Sequence, residues 1–339
     1  MQISLTLLTD IDPKNLEYAK RNVNLNNLQK HIKVLPREPS DPLIPLDEMG
    51  VNSLDLVMTN PPFYESQKEL DDCARKKARP PLSACTGAPV EMVTEGGEVG
   101  FTKRIFEESL ELRGRVQWYT TMLGKLSSVE AVVDMLQGHA VDNYCVTEFV
   151  QGTKTRRWAV GWSFRGMRPT EEVCRGMKEL PWKKVLPPSV EFKVLLWGDA
   201  VSSSKLGSGL DKLVMGLDVI FWEWDAEKLS GLGRVRENVW SRAYRRRKER
   251  KEKSASQMSI DNSQPSQSFA SQMSTAEDLH AGLEETCALG FRLSIRVGRE
   301  DLTVMCRWVE GHDRAMLDSF HGYLRTQVDK LAKGLKGDH

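Results

Sequence analysis

Asn60-Pro61-Pro62-Phe63 stands directly behind the apolar run Leu54-Asp55-Leu56-Val57-Met58. A buried strand ending this way presents an amide, a carbonyl and a ring to a flat nitrogen base. Each proline fixes its own φ near about −65° and lacks an N–H, so the Asn60 and Pro61 carbonyls stay out of helix or sheet pairing. The Asn60 side-chain oxygen and the Pro61 carbonyl can then both accept hydrogen bonds from one exocyclic NH2, and Phe63 offers a stacking face. That set suits methyl transfer to an amino group whose lone pair is delocalised into a ring. The plain alternative is a strand followed by a rigid turn, because short motifs recur by chance. Asp10 and Asp12 follow an earlier apolar run at a turn into a helix, where an acidic side chain can accept hydrogen bonds from ribose hydroxyls. Asp12, just ahead of Pro13, is better placed as the helix cap, which leaves Asp10 as the ribose candidate. A helix-start carboxylate with no ligand is the competing reading for both.

The elements that must hold these groups alternate. Ile3–Thr9 reads as a short buried strand, residues 13–26 as a helix with Leu16, Ala19 and Val23 on one side, and Ile32–Leu35 as a strand. After the Leu54–Met58 strand comes an irregular stretch over 65–98 with a basic cluster, Arg75, Lys76, Lys77 and Arg79. A helix over 100–112, the strand Val116–Met122 and a helix over 128–137 follow. Asn143–Phe149 and Arg156–Phe164 are then joined by a hairpin-like turn. Strand–helix alternation of this kind specifies a parallel α/β sheet.

The second half has a different texture. Val190–Trp197 and Leu217–Trp224 read as strands, with Trp222 and Trp224 on one face as core. Residues 234–253 carry ten Lys and Arg against three Glu, peaking at Arg245-Arg246-Arg247-Lys248. This run has three readings: a helix following RNA phosphates, a nuclear localisation signal, or a soluble charged helix. Residues 254–276 hold eight Ser and four Gln, too little apolar surface to order a chain, and read as a disordered linker. Phe291–Val297 and Leu302–Val309 alternate like an antiparallel pair, and an amphipathic helix over 313–331 ends the sequence.

A formal net charge of only +1 over 339 residues gives no global signal for nucleic acid, so local charge must make that case. The six cysteines are scattered, without CxxC or a His pair at ligand spacing, so neither a disulfide framework nor a metal site is expected. No apolar run is long enough to cross a membrane.

Further residues carry a resemblance. Asp10-Ile11-Asp12, the Tyr18–Val23 helix, Asn60–Phe63, Arg79-Pro80-Pro81, Glu95-Gly96-Gly97-Glu98, Trp118-Tyr119, Met122–Lys125, Thr147-Glu148-Phe149, Gln151-Gly152, Arg157-Trp158 and Trp162-Ser163-Phe164 occur in this order. Together they resemble the methyltransferase-like protein 16 family and its bacterial relatives that methylate adenine N6 in 23S ribosomal RNA. The resemblance spans residues 3–165. It implies a Rossmann-like class I methyltransferase sheet over residues 1–168, while the element order of the second half reads as a small C-terminal α+β domain over 185–253 and 277–335. It also implies S-adenosyl-L-methionine as cofactor and adenine-N6 methylation of a structured RNA, U6 snRNA foremost and rRNA otherwise. The protein is expected to act as a monomer in the nucleus, or also the cytoplasm, without metal. Asn60, Pro61, Pro62 and Phe63 become the catalytic set, and Asp10 with Asn60 the cofactor contacts. Tyr64, Arg75, Lys76, Lys77 and Arg79 become RNA contacts, and the charge clustering of Arg245, Arg246, Arg247 and Lys248 adds these four as RNA candidates.

Two alternatives stay open: an RNA-binding protein with impaired catalysis, and a protein-glutamine N5-methyltransferase, which uses a related tetrad. The Glu95–Glu98 motif and the basic loop argue against the second. The family's sheet carries an earlier strand and a Gly-rich cofactor turn, whereas the first glycine here is Gly50. The sequence therefore reads as N-terminally truncated, without that strand and turn, and is expected to bind S-adenosylmethionine weakly or not at all.

Overall fold

A computed structural model describes residues 5–69, 71, 92–151, 155–176, 184–197, 202–258, 287–299 and 301–336. The chain divides into two units, Met1–Phe164 with Val173–Pro187, and Arg165–Glu172 with Pro188–His339.

In the first unit, β1 (Thr6–Asp10) and β2 (Ile32–Pro36) pair in parallel as a two-stranded sheet, joined by helix α1 (Pro13–Leu25). The helix starts where local chemistry dictates. The Asp12 carboxylate accepts from Lys14 N–H at 2.8 Å and Asn15 N–H at 3.0 Å, and Pro13 occupies the first turn, where a missing N–H costs nothing. Leu16 and Val23 are its buried residues. Asp12→Ala is expected to lower stability by about 1 kcal/mol, read as a shift in the urea midpoint; an unchanged midpoint would deny the cap any energetic role.

The larger sheet has the order β3-β4-β6-β5-β7, with β3 (Leu54–Thr59) parallel to β4 (Val116–Leu123). Strands β5 (Tyr144–Gln151) and β6 (Thr155–Trp162) form the expected antiparallel hairpin, and β7 (Arg175–Gly176) adds a short parallel edge. Helices α2 (Gly97–Leu112) and α3 (Leu126–Gly138) contribute Ile105, Phe106, Val129, Val132, Val133 and Leu136 to one core with Tyr119, Val160 and Trp162. One expectation fails here. Strand β3 is not buried: Leu56 is 53% and Met58 83% exposed, because β3 pairs with β4 and with no other strand among the described residues.

A short helix, α4 (Glu171–Cys174), precedes β7. The second unit is a five-stranded antiparallel sheet, β8-β12-β11-β10-β9, built from β8 (Glu191–Trp197), β9 (Phe221–Asp225), β10 (Ser230–Val235), β11 (Leu289–Val297) and β12 (Asp301–Glu310). Helices α5 (Ser203–Met215) and α7 (Arg314–Lys336) cover one face, where Phe291 meets Phe320 with ring centroids 4.4 Å apart. The strand expected from Leu217 begins only at Phe221. The intervening residues are spent on closing α5, with Leu217 N–H bonded to the Val214 carbonyl and Val219 N–H to that of Leu217. Helix α6 (Arg242–Met258) carries the basic run and continues past Ser254, into the stretch expected as linker; residues 259–276 of that stretch lie outside the described residues.

Candidate active site

The tetrad leaves β3 at its C-terminal end. Asn60 is exposed, Pro61 buried, and Pro62, Phe63 and Tyr64 are half-buried. Tyr64 is fixed from a distance: its N–H bonds the Met92 carbonyl at 3.0 Å, and its own carbonyl accepts from Thr94 N–H at 3.0 Å. Behind this bridge come Gly96 and Gly97, with φ of 69° and 58°, a left-handed pair that side chains resist. A Cβ on Gly97 would also stand 3.0 Å from the Glu65 side chain. The two glycines of the Glu95–Glu98 motif therefore let the chain turn tightly beside the tetrad and enter α2.

The contacts around Phe63 were not legible as a site. Arg157, at the β5–β6 hairpin, places its guanidinium 5.1 Å from the Phe63 ring centroid, a cation–π distance. The neighbouring Arg156 is tied by an ion pair at 2.8 Å to Glu148, which steadies that strand. Gly124, at the end of β4, lies against the ring edge: a Cβ there would sit 3.0 Å from Phe63 Cδ1. Glu98, 2% exposed, accepts from the Gly124 and Lys125 amides at 2.6 and 3.0 Å. The Lys125 ammonium reaches Glu69 at 2.5 Å and, with the Glu65 N–H, holds that carboxyl below its ordinary range. Arg157 and Glu98 both belong to motifs visible in the sequence, but only folding shows that Arg157 meets the Phe63 ring and that Glu98 holds the Gly124 backbone beside it.

Asp10 ends β1. Its carboxylate oxygens accept from Asp12 N–H at 2.8 Å and Asn15 Nδ2 at 3.2 Å, which orients it. An oxygen that accepts one such bond keeps a second lone pair, so an oriented carboxylate here fits the hydroxyl donors of a ribose. The basic loop residues Arg75, Lys76, Lys77 and Arg79 lie outside the described residues. In α6, Arg245 and Arg246 are exposed, whereas Arg247 pairs with Glu237, and Lys248 with Asp218 at 3.2 Å. Asp218 also accepts from the Tyr244 hydroxyl at 2.5 Å, so the start of the helix is moored to the second unit's own acidic residues. Among the described residues, no three His, Cys, Asp or Glu side chains gather as a metal site, and no helix is long and apolar enough to cross a membrane.

The profile of a family described as RNA methyltransferase matches residues 5–166. A U6 small nuclear RNA (adenine-(43)-N(6))-methyltransferase of Schizosaccharomyces pombe is 47% identical over 167 residues, 49% of this chain and 42% of that protein. The Homo sapiens RNA N(6)-adenosine-methyltransferase METTL16 is 41% identical over 162 residues, 47% of this chain and 28% of its own. A crystal structure of the hMettl16 catalytic domain with the MAT2A 3'UTR hairpin 1 aligns at 35% identity with a TM-score of 0.44, covering 55% of this chain and 58% of that one. The chain thus spans less than half the length of these two curated relatives. Residues 5–166 thus match the model of a family of RNA methyltransferases.

Proposed function

We propose that the chain is an S-adenosylmethionine-dependent RNA adenine-N6 methyltransferase that acts on a structured RNA of the U6 small nuclear type. The observation that carries this reading is the tetrad at the end of β3, with Phe63 set between Arg157 and Gly124, inside the segment that matches the family.

The chemistry follows from the acceptors. The target adenine leaves its stack, and Phe63 with Tyr64 replaces part of the lost stacking. The Asn60 side-chain oxygen and the Pro61 carbonyl accept from the two N6 protons, which turns the nitrogen lone pair toward the incoming methyl. S-adenosylmethionine, when bound, supplies an electrophilic methyl on sulfur, and Asp10 would hold its ribose. An N6 that gains the methyl would carry one proton in excess, which water would accept. No strong base is required, so positioning supplies most of the rate. Arg75, Lys76, Lys77 and Arg79 are the further cations assigned to RNA phosphates. Arg245 and Arg246 are the outward cations of α6, and Arg247 and Lys248 join them when RNA competes for their carboxylates. The protein acts as a monomer in the nucleus, where a U6-type substrate resides.

A second reading, RNA binding with impaired catalysis, is favoured by two observations. Leu56 and Met58 of β3 are exposed, and β1, which carries Asp10, belongs to a different sheet from β3, which Asn60 follows. One experiment separates the two readings. The full chain is incubated with methyl-labelled S-adenosylmethionine and a U6-type hairpin, alongside calorimetry with the cofactor. Label in adenine N6 supports the enzyme. RNA retention with neither label nor calorimetric heat supports the second reading, and loss of retention as well defeats both.

A further inference from the structure

Glu98 is a buried carboxylate with no cation beside it in any described ion pair, and a charge in such a place needs an explanation. Its oxygens are each engaged by a main-chain amide, Oε2 by Gly124 at 2.6 Å and Oε1 by Lys125 at 3.0 Å. It lies in the first turn of α2 and grips the residues just ahead of α3, so the dipoles of two helix starts favour its charge. Lys125, the cap residue of α3, has no side-chain cap bond of its own. A buried carboxylate next to the tetrad invites assignment as general base, but at 2% exposed and with each oxygen tethered to a main-chain amide it is built to hold backbone. Its role is mechanical.

What it holds is the strip of backbone under Phe63. A Cβ added at Gly124 would lie 3.0 Å from Phe63 Cδ1, 3.4 Å from Cε1 and 3.3 Å from Glu98 Oε2, so carboxylate, backbone and ring edge form one continuous contact. Thr102 Oγ1 fixes the other end of the lever by donating to the Glu98 carbonyl at 2.7 Å. Arg157 adds a guanidinium contact to the same ring. We propose that Glu98, acting through Gly124, is a positioning residue that sets where the Phe63 ring stands and so where the target base is stacked. This rests on the methyltransferase reading for its consequence, but the seat itself is a property of the protein without RNA.

The substitution Glu98→Gln keeps one acceptor oxygen and the shape, and turns the second bond into an N–H facing an N–H. Gly124→Ala leaves the carboxylate alone and pushes the ring directly. Both are expected to lower turnover by about tenfold or more with RNA affinity within about threefold, since small misplacements near the reacting atoms act on rate. Glu108→Gln is the control. Glu108 likewise accepts from two amides, those of Leu43 and Ile44, on the same helix but against another loop.

The test uses the full chain with 4-fluorophenylalanine at position 63, read by fluorine NMR beside transfer and hairpin-binding assays. The Phe63 resonance is expected to move in E98Q and G124A and to stay in E108Q, with turnover falling in the first two only. An unmoved resonance in folded E98Q and G124A, or turnover at the unsubstituted level in either, overturns the proposal. Should E98Q fail to fold, G124A decides alone. Absence of transfer by the unsubstituted chain would fall on the methyltransferase reading instead, and the resonance comparison would still decide whether the carboxylate seats the ring.

Discussion

Asn60→Ala is expected to reduce methyl transfer by about a hundredfold or more while leaving hairpin retention within about twofold and the urea midpoint unchanged. The three parts of that expectation have separate causes. Asn60 is exposed at the end of β3, so its truncation opens no cavity and removes no packing. On the methyltransferase reading, RNA affinity would come chiefly from phosphate contacts with cations, none of which involves this amide. The rate is different. As the methyl arrives, N6 turns from a delocalised amino group into a tetrahedral, positively charged nitrogen whose protons become strong donors. An acceptor fixed on those protons is worth more in the transition state than in the ground state, and only such a difference accelerates the step. Pro61 still offers its carbonyl in the variant, so a residue of activity survives. Transfer above about a tenth of the unsubstituted rate, measured in single turnover with saturating hairpin, would show that Asn60 does not orient the amino group.

How far the sequence could carry this depends on the range of the interactions. The Asp12 cap and Pro13 were legible because capping is settled within one turn of helix, and the structure shows both bonds. The β5–β6 hairpin was legible for the same reason. Strand β3 misled, because an apolar run signals burial only if both sides find partners, and Leu56 and Met58 are left exposed. Helix α5 escaped notice: its Leu206, Leu210 and Val214 pattern is diluted by Gly207 and Gly209, and tertiary packing against Trp224 and Leu331 sustains it. At the site, Phe63 could be named from its neighbours in sequence. Arg157, Gly124 and Glu98 could not be assigned to its ring, since each comes from a different element and no local pattern encodes their meeting. The basic helix divides in a similar way, with Arg247 and Lys248 indistinguishable from Arg245 and Arg246 until Glu237 and Asp218 are seen beside them.

The largest effect on stability is expected from Trp162→Ala. Trp162 ends β6, is fully buried, and stacks on Tyr119 with centroids 5.7 Å apart while Phe106 meets it edge-on at 6.1 Å. Its indole N–H donates to Ser109 Oγ at 3.0 Å, so strand β6 and helix α2 are joined by both area and a hydrogen bond. Removing the indole leaves a cavity that Tyr119 and Phe106, themselves buried, cannot fill without moving the strand and helix they come from. The expected cost is about 3–5 kcal/mol, the range for truncating a large aromatic in a core. Against a domain stability of about 5–15 kcal/mol, the first unit would sit close to its unfolding threshold. Trp162→Phe separates the contributions. It keeps most of the stacked area and loses the bond to Ser109, whose own hydroxyl still donates to the Phe106 carbonyl at 2.6 Å, so it should cost clearly less. Urea unfolding followed by far-ultraviolet circular dichroism reads both variants, with the second unit's transition as an internal reference. A Trp162→Ala loss below about 1 kcal/mol would mean that the core relaxes far more than its packing implies. The consequence reaches the site, because β4 lies beside β6 in register from Tyr119–Trp162 to Leu123–Trp158, and Gly124 follows directly. A core that loosens at Trp162 therefore loosens the seat of Phe63, and transfer should fail at lower urea than the loss of helix signal.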